Sequence, residues 1–575
     1  MIKSIWTLCC LMMTAGMLIG CARISAAPPP LPGGYLLPAQ QPPSQVVSRR
    51  IVLVADNQLH NLYGGPVPFL RSELANRLVQ PAIRPVQLDF YGQDLLRWVV
   101  EDQGQFSPIV HIGDACDFAC TGEFRKFREI MWQAKHGWAM APGNHDGFFF
   151  GNEHRDATND DWRAACQHAG EPMTKDLFVR YYMASLVLQP GADYRALAHA
   201  LGLSDAPLDG ADLDQVARRI PSRGDWRQAT QAPTERVFLR AVSWRIDAER
   251  PWRSFIVQEV DLTLDPASLP QPSAAVGVSA KAILLDTTQY TAAPTLVPTP
   301  RTVNAGLTGE LLPDQLAIVQ AWLQAAPETD RAWVLIGHHP FASLRQAARQ
   351  ALDDLRQRAS VLLYVSAHTH AGQFIVHDSP GGNWLELNVG SVLDWWLEIR
   401  TLQWHRAGER WLLRSPRFTL HDWLQEFEGV PMNEEAWEAK PGKADYYLGY
   451  EDLKDLNAHR TELRLKNTLL AAHHRLLRLN PTQTGTSPAA GFWPAGCQSD
   501  EDVLAMIDRI VQDDRLERKI GFLLELERFE RERPVADPEM RRKFRLSQAI
   551  WASKYDSVRA RKPLVDDWFI LFPKE

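Results

Sequence analysis

Apolar positions in this chain gather into short continuous runs, and several of these runs end abruptly in a cluster of polar residues. The first is Ile51-Val52-Leu53-Val54-Ala55, an unbroken stretch of the kind a strand needs when both of its faces are buried, with Asp56 at its end. A helical stretch around Leu95 to Val100 precedes Ile109-Val110-His111-Ile112, which runs into Gly113-Asp114-Ala115-Cys116-Asp117. A helix from about Glu123 to Ala134 then leads to Trp138-Ala139-Met140 and Gly143-Asn144-His145-Asp146. Much later, Val334-Leu335-Ile336 delivers Gly337-His338-His339-Pro340, and Val361-Leu362-Leu363-Tyr364-Val365 delivers Ala367-His368-Thr369-His370. Strands alternating with helices predict an α/β fold with a mainly parallel sheet, and in such sheets ligands collect at the carboxyl ends of the strands. Every polar cluster named here falls at such an end.

The stretch from Gly147 to about Lys281 is too long for a plain connection and must hold structure of its own. Its pattern predicts helices around Thr174 to Leu188 and Tyr194 to Leu203, then a strand pair at Val237 to Val242 and Phe255 to Val260. Because it leaves from the His145 loop, it is expected to form a wall of the cleft. Ile283-Leu284-Leu285 before Asp286-Thr287 reads as a further core strand, 309–323 as a helix, and Asn388-Val389-Gly390-Ser391 as a closing strand and turn. Trp395 and Trp396 read as packing residues. From about Phe418 the texture changes to long helical stretches, Glu462 to Arg478 and Asp500 to Arg533, with Glu and Arg at the spacing of a solvated helix face. Residues 416–575 are therefore expected to be a mostly helical accessory domain.

The chain begins with an address. Lys3 precedes an apolar run from Ile5 to Ile19, too short to span a bilayer comfortably, and Leu18-Ile19-Gly20-Cys21 resembles the lipobox of bacterial lipoproteins. This implies a signal peptide at 1–20, acylation of Cys21, and anchoring to a membrane on its extracytoplasmic face. The alternative is cleavage after Ser25-Ala26-Ala27 and secretion to the periplasm. Residues 21–48 are proline-rich and read as a tether. The length of 575 residues asks for more than one domain, and 45% apolar with 23% charged residues is globular in character. A net charge of -7, with no basic stretch interleaved with aromatics, argues against nucleic acid as a partner. Beyond Cys21 the cysteines are Cys116, Cys120, Cys166 and Cys497, and an oxidising compartment predicts at least one disulfide near Cys120, with the pairing open. Cys116 reads as a neighbour of the catalytic loop and not as a nucleophile.

Carboxylates, an amide oxygen and imidazoles arriving from several strand ends suit a mixed oxygen and nitrogen site for divalent Mn, Fe or Zn. The order of the blocks, from Asp56-Asn57-Gln58 to Ala367-His368-Thr369-His370, resembles the calcineurin-like metallophosphoesterase superfamily, whose pattern runs D-x-H, G-D-x-x-D, G-N-H-D/E, G-H-x-P, G-H-x-H. The resemblance covers roughly Arg49 to His405. It implies a sandwich of two mixed β-sheets flanked by helices over residues 49–415, interrupted by the insertion at about 147–280. It also implies a dinuclear site, with Asp56, Asp114 and His370 on one metal ion, Asn144, His338 and His368 on the other, and Asp114 bridging. Metal-bound hydroxide would attack phosphorus, and His145 would protonate the leaving alkoxide, oriented by Asp117 or Asp146. Gln58 stands where the family has a histidine ligand, and His60 is the rival for that role. Ala367 replaces the usual glycine, and no tyrosine follows Asp114, so an iron-tyrosinate colour is not expected. The implied function is hydrolysis of phosphate esters at the cell envelope, on a phosphorylated small molecule or lipid. Monoester and diester action both stay open. The alternative is a catalytically silent, metal-containing lipoprotein that acts as a binding or scaffold protein.

Overall fold

The structure, a computed structural model, describes residues 44–59, 96–97, 99–149, 151, 162–163, 166, 170–203, 212–228, 237–264, 278–295, 303–324, 331–359, 361, 363–370, 372–377, 384–392, 398–407, 410–419 and 569–572. The expected signal peptide, Cys21, His60, Trp395, Trp396, Cys497 and the helices expected at 462–478 and 500–533 lie outside the described residues.

The chain opens with β1 (Gln45–Val46) and β2 (Ile51–Val54), the latter buried at every position as its apolar run requires. Strands β3 (Ile109–His111) and β4 (Trp138–Met140) lie parallel beside it, and helix α1 (Thr121–Met131) connects them. Helices α2 (Lys175–Leu188), α3 (Ala192–Ala200) and α4 (Leu213–Arg219) follow. An antiparallel meander comes next, β5 (Arg223–Arg227), β6 (Leu239–Arg245), β7 (Phe255–Asp261) and β8 (Ser279–Leu284). Helix α5 (Pro313–Gln324) then leads to β9 (Arg331–Ile336), and α6 (Gln346–Arg358) to β10 (Leu363–Ser366). Strands β11 (Gln373–His377) and β12 (Trp384–Asn388) complete a second sheet of order β11-β12-β10-β9-β8-β7-β6-β5, parallel from β8 through β9 and β10 to β12. The chain then returns to the first sheet with β13 (Glu398–Ala407), antiparallel to β2, followed by β14 (Arg410–Arg414), β15 (Arg417–Thr419) and β16 (Phe569–Phe572). Among the described residues both sheets are mixed and eight-stranded.

The period-two alternation of side chains sorts these strands into layers. Ile51, Leu53 and Ala55 face a core shared with Ala282 and Leu284 of β8, Val334 and Ile336 of β9, and Val365 of β10, so the two sheets pack face to face. Val52 and Val54 face the other way, onto Phe124 and Phe127 of α1 and Phe178 and Tyr182 of α2. The outer face of the second sheet, Ile283, Trp333 and Leu335, is covered by Val319 and Trp322 of α5 and Leu352 and Leu355 of α6.

Three features of the fold add to the sequence expectations. The strand pair of the insertion extends the second sheet, because β7 finds a hydrogen-bonding partner in β8. The helices of the insertion cover the outer face of the first sheet, and Gln189, Tyr182 and Gln258 satisfy the exposed edge of β4: Gln189 accepts from Trp138 N–H and donates to its carbonyl, Tyr182 accepts from Met140 N–H, and Gln258 donates to Met140 O. Such pairing matters because an edge strand otherwise leaves buried backbone groups unsatisfied. Finally, β15 and β16 lie beyond residue 415 yet pair with β13 and β14, so the sheet continues past the boundary expected between 415 and 416. The expected disulfide near Cys120 is Cys120–Cys166, which ties the start of α1 to the insertion. No helix among the described residues is long and apolar enough to cross a membrane.

Candidate metal centre

The ends of β2, β3, β4, β9 and β10 meet at one edge of the sandwich. There the backbone turns sharply: φ is +50° at Asp56, +36° at Gln58, +57° at Asp114, +68° at His368 and +56° at His370. Left-handed backbone is disfavoured for residues with a Cβ, and it persists where surrounding contacts over-determine it, most often at functional sites. Space is equally constrained. A side chain at Gly143 would collide with the Asp114 carboxylate and backbone nitrogen, which is why the chain needs glycine before Asn144.

Four side chains converge on one point. His338 Nε2 lies 3.0 Å from Asn144 Oδ1, 3.2 Å from His368 Nδ1 and 3.3 Å from Asp114 Oδ2, and His368 Nδ1 lies 2.9 Å from Asn144 Oδ1. The outward atoms explain which face inward. His338 Nδ1 donates to Ile112 O at 2.7 Å, His368 Nε2 donates to Gly306 O at 3.1 Å, and Asn144 Nδ2 donates to Gly151 O at 3.1 Å. With those hydrogens committed, the inward set is two imidazole lone pairs, an amide oxygen and a carboxylate, all acceptors. Bringing four acceptors together is unfavourable unless a cation or proton sits among them, and a ring N–H held by a carbonyl is how proteins orient metal-ligating histidines. Asp114, His338 and His368 fit a metal-binding group by mutual distance alone.

Beside this set, Asp56 is fully buried, with Oδ2 accepting from His368 N–H at 3.2 Å. Its Oδ1 accepts no hydrogen bond and lies 3.2 Å from His370 Nε2. An orphaned buried carboxylate oxygen facing an imidazole suits a second cation. Gln58 is buried in the same loop, its N–H bonded to Asp114 O at 2.9 Å. Of the residues that the resemblance groups, Asp56 lies beside His370, and Asn144, His338 and His368 lie together with Asp114.

Charge is distributed accordingly. Burial works against the Asp114 anion, but His338, His145 and His368 outweigh it and hold its carboxyl below the usual range. Burial also opposes protonation of His338, yet Asp114 and Asp56 together raise it to about 9. His368 behaves oppositely: burial and the neighbouring His338 push it down to about 4.

His145 is 13% exposed, with Nε2 3.9 Å from Asp114 Oδ2. Its Nδ1 is held by Asp117, at 2.8 Å from the carbonyl and 3.0 Å from the carboxylate. Burial lowers its basicity, but Asp114 and Asp117 reverse this and raise it to about 9. The sequence left Asp117 and Asp146 as rival orienting groups, and the geometry separates them. Asp146 makes no contact with the imidazole. Its carboxylate accepts from Asp114 N and Gly143 N at 2.8 Å, Ala115 N at 3.0 Å and Cys116 N at 3.2 Å, clamping the loops that carry Asp114 and Asn144. Four backbone N–H groups thus hold its two oxygens.

Other polar residues nearby are engaged away from the cluster. His339 has both nitrogens engaged, with Thr287 Oγ1 at 2.9 Å and Ala305 O at 3.0 Å, while His111 is paired with Asn57 and kept neutral by burial, down to about 3. Cys116 is a buried free thiol whose pKa burial and neighbouring carboxylates push up, so it is unreactive. Sequence reasoning missed Ser391, whose hydroxyl donates to Asp56 O at 2.8 Å, and Asn57, whose amide donates to Ala115 O at 2.9 Å. The only signal for either was a polar residue next to an apolar run, too common to select. No family model and no curated protein matches the chain.

Proposed function

We propose that this protein hydrolyses phosphate esters with two divalent metal ions, as a member of the calcineurin-like metallophosphoesterases carrying the corresponding two-sheet sandwich. The observation that carries the proposal is the convergence of Asp114 Oδ2, Asn144 Oδ1, His338 Nε2 and His368 Nδ1 as acceptors around one point. The donor set of carboxylate, amide and imidazole suits Mn, Fe or Zn. Asp114, Asp56, Gln58 and His370 would hold one ion, and Asp114, Asn144, His338 and His368 the other. When bound, such a pair neutralises phosphoryl charge and lowers the pKa of water at the site.

The chain's own part is the handling of the proton. With Nδ1 held by Asp117 and Nε2 turned towards Asp114, both of which favour its protonated form, His145 can give the Nε2 proton to a leaving alkoxide. The limited exposure of His145 and the burial of Asp56, Asp114, Asn144 and His338 restrict the access of bulk water to these groups. The substrate would be a phosphorylated small molecule or lipid head group outside the cytoplasm, reached from a lipid anchor on Cys21.

The test is hydrolysis of p-nitrophenyl phosphate and bis-p-nitrophenyl phosphate by the full chain, with added Mn²⁺ and after chelation. Chelator-sensitive turnover is expected, and the preferred ester separates monoesterase from diesterase. Mn²⁺ binding without turnover of any phosphate ester would replace this reading with a silent binding protein.

A further inference from the structure

The short loop carrying His368 and His370 follows β10 and holds both residues in left-handed backbone, so its shape must be imposed from outside. Asn388, the last residue of β12, lies beneath it and is fully buried. Its Nδ2 donates to Ala367 O at 2.6 Å and to Ser366 Oγ at 3.0 Å, and its Oδ1 accepts from Thr369 Oγ1 at 2.5 Å. One amide thus grips the residue on each side of His368.

The orientation of that amide is itself determined. Ser366 donates its hydroxyl hydrogen to Glu386 Oε1 at 2.5 Å, so it offers Asn388 only a lone pair. Glu386 is fully buried, and its other oxygen is held by His377 Nε2 at 2.6 Å. An inverted Asn388 would set its oxygen against two acceptors, Ala367 O and Ser366 Oγ. Only an amide in this orientation supplies a donor to the one side and an acceptor to the other.

We propose that Asn388 is a positioning residue that sets the direction of the His368 and His370 rings and thereby the affinity of the centre for divalent cations. The proposal rests on the metal-centre reading above. It assigns Asn388 no contact with substrate. Loss of its grip should therefore weaken cation binding far more than it slows turnover once cations saturate the site. Aspartate is isosteric but brings no donor for the Ala367 carbonyl, so Asn388→Asp tests the hydrogen bonds without opening a cavity.

The experiment is calorimetric titration of the full chain with Mn²⁺ alone, for the wild type, Asn388→Asp, Asn388→Ala and Thr369→Val, with urea unfolding and kcat at saturating Mn²⁺ measured alongside. For both Asn388 variants the expected loss of Mn²⁺ affinity is about 10- to 100-fold, the usual effect of removing a group that orients a ligand. Thr369→Val, which removes one contact from a partly exposed residue, should lose affinity by a smaller factor, and kcat at saturation should stay within about threefold of wild type in all three. Wild-type affinity in both Asn388 variants, with or without a lower urea midpoint, overturns the proposal by leaving Asn388 a purely structural role. If the Asn388 variants do not fold, Thr369→Val decides: reduced affinity supports the proposal and unchanged affinity overturns it. A wild-type chain that binds no Mn²⁺ overturns the metal-centre reading, and this proposal with it.

Discussion

The two sheets bring opposite chemistry to the same point. Strand ends of the first sheet supply Asp56, Asp114 and Asn144, oxygen donors of which the two carboxylates are held by backbone N–H groups: His145 N on Asp114 Oδ1 at 2.8 Å and His368 N on Asp56 Oδ2 at 3.2 Å. Strand ends of the second sheet supply His338, His368 and His370, and the rings of His338 and His368 are held by carbonyls, Ile112 O and Gly306 O. The first side sets the charge of the site and the second sets its directions. The holds also cross over. Ile112 follows β3 of the first sheet and orients a histidine of the second, while the backbone of His368 steadies a carboxylate of the first. Neither half is complete alone, and the apolar core between the sheets keeps both in place.

Removing charge from the first side should break the site most severely. Asp114→Asn keeps the shape but removes the carboxylate charge on which the proposed centre depends, and kcat/KM is expected to fall by about 10³-fold or more, together with loss of paired Mn²⁺ binding measured by calorimetry. His145→Ala spares both sets of ligands and should cost about 10²-fold or more in kcat while leaving Mn²⁺ stoichiometry unchanged; near-normal turnover would remove its role as proton donor. Asp146→Ala strips the acceptor from four backbone N–H groups of the first side. A stability loss of about 3 kcal/mol in urea unfolding is expected, with little change in the pH profile of turnover.

A finer probe is the pH dependence of the chelated protein. His338 and His145 are both raised to about 9 by the first sheet's carboxylates. A raised pKa contributes stability that is fully present below the ordinary value of 6.5 and is lost as pH rises through about 9. The urea midpoint of the chelated chain should therefore decline across that window, and the decline should shrink in Asp114→Asn. The smallest effect on the site is expected from His339→Phe. It leaves Thr287 and Ala305 without their partner, at about 1–3 kcal/mol of stability, yet Mn²⁺ affinity should stay near wild type because His339 offers the centre no free nitrogen.

Much of the site could be read before folding because its residues sit next to features that are local in sequence. Asp56, Asp114, Asn144, His338 and His368 each follow a short apolar run, and each run became a buried strand. The partition of the neighbouring polar residues could not be read this way. His338 and His339 are adjacent and chemically identical, yet one turns a lone pair into the cluster and the other is fully bonded to Thr287 and Ala305. Asp117 and Asp146 were equivalent candidates until their partners separated them. Likewise, nothing in Phe569–Phe572 says that it pairs with β14.

The sequence by itself determined the alternation of strands and helices, the residue types at each strand end and their order along the chain, because strand formation here follows from continuous apolar runs of a few residues. The tertiary structure decided which atoms face inward. The hydrogen bond that turns His338 comes from a carbonyl 226 positions away, and the contact between His368 and Asn144 spans 224. A ring nitrogen becomes a ligand only when its opposite nitrogen is bound, and that partner exists only after the two sheets have packed.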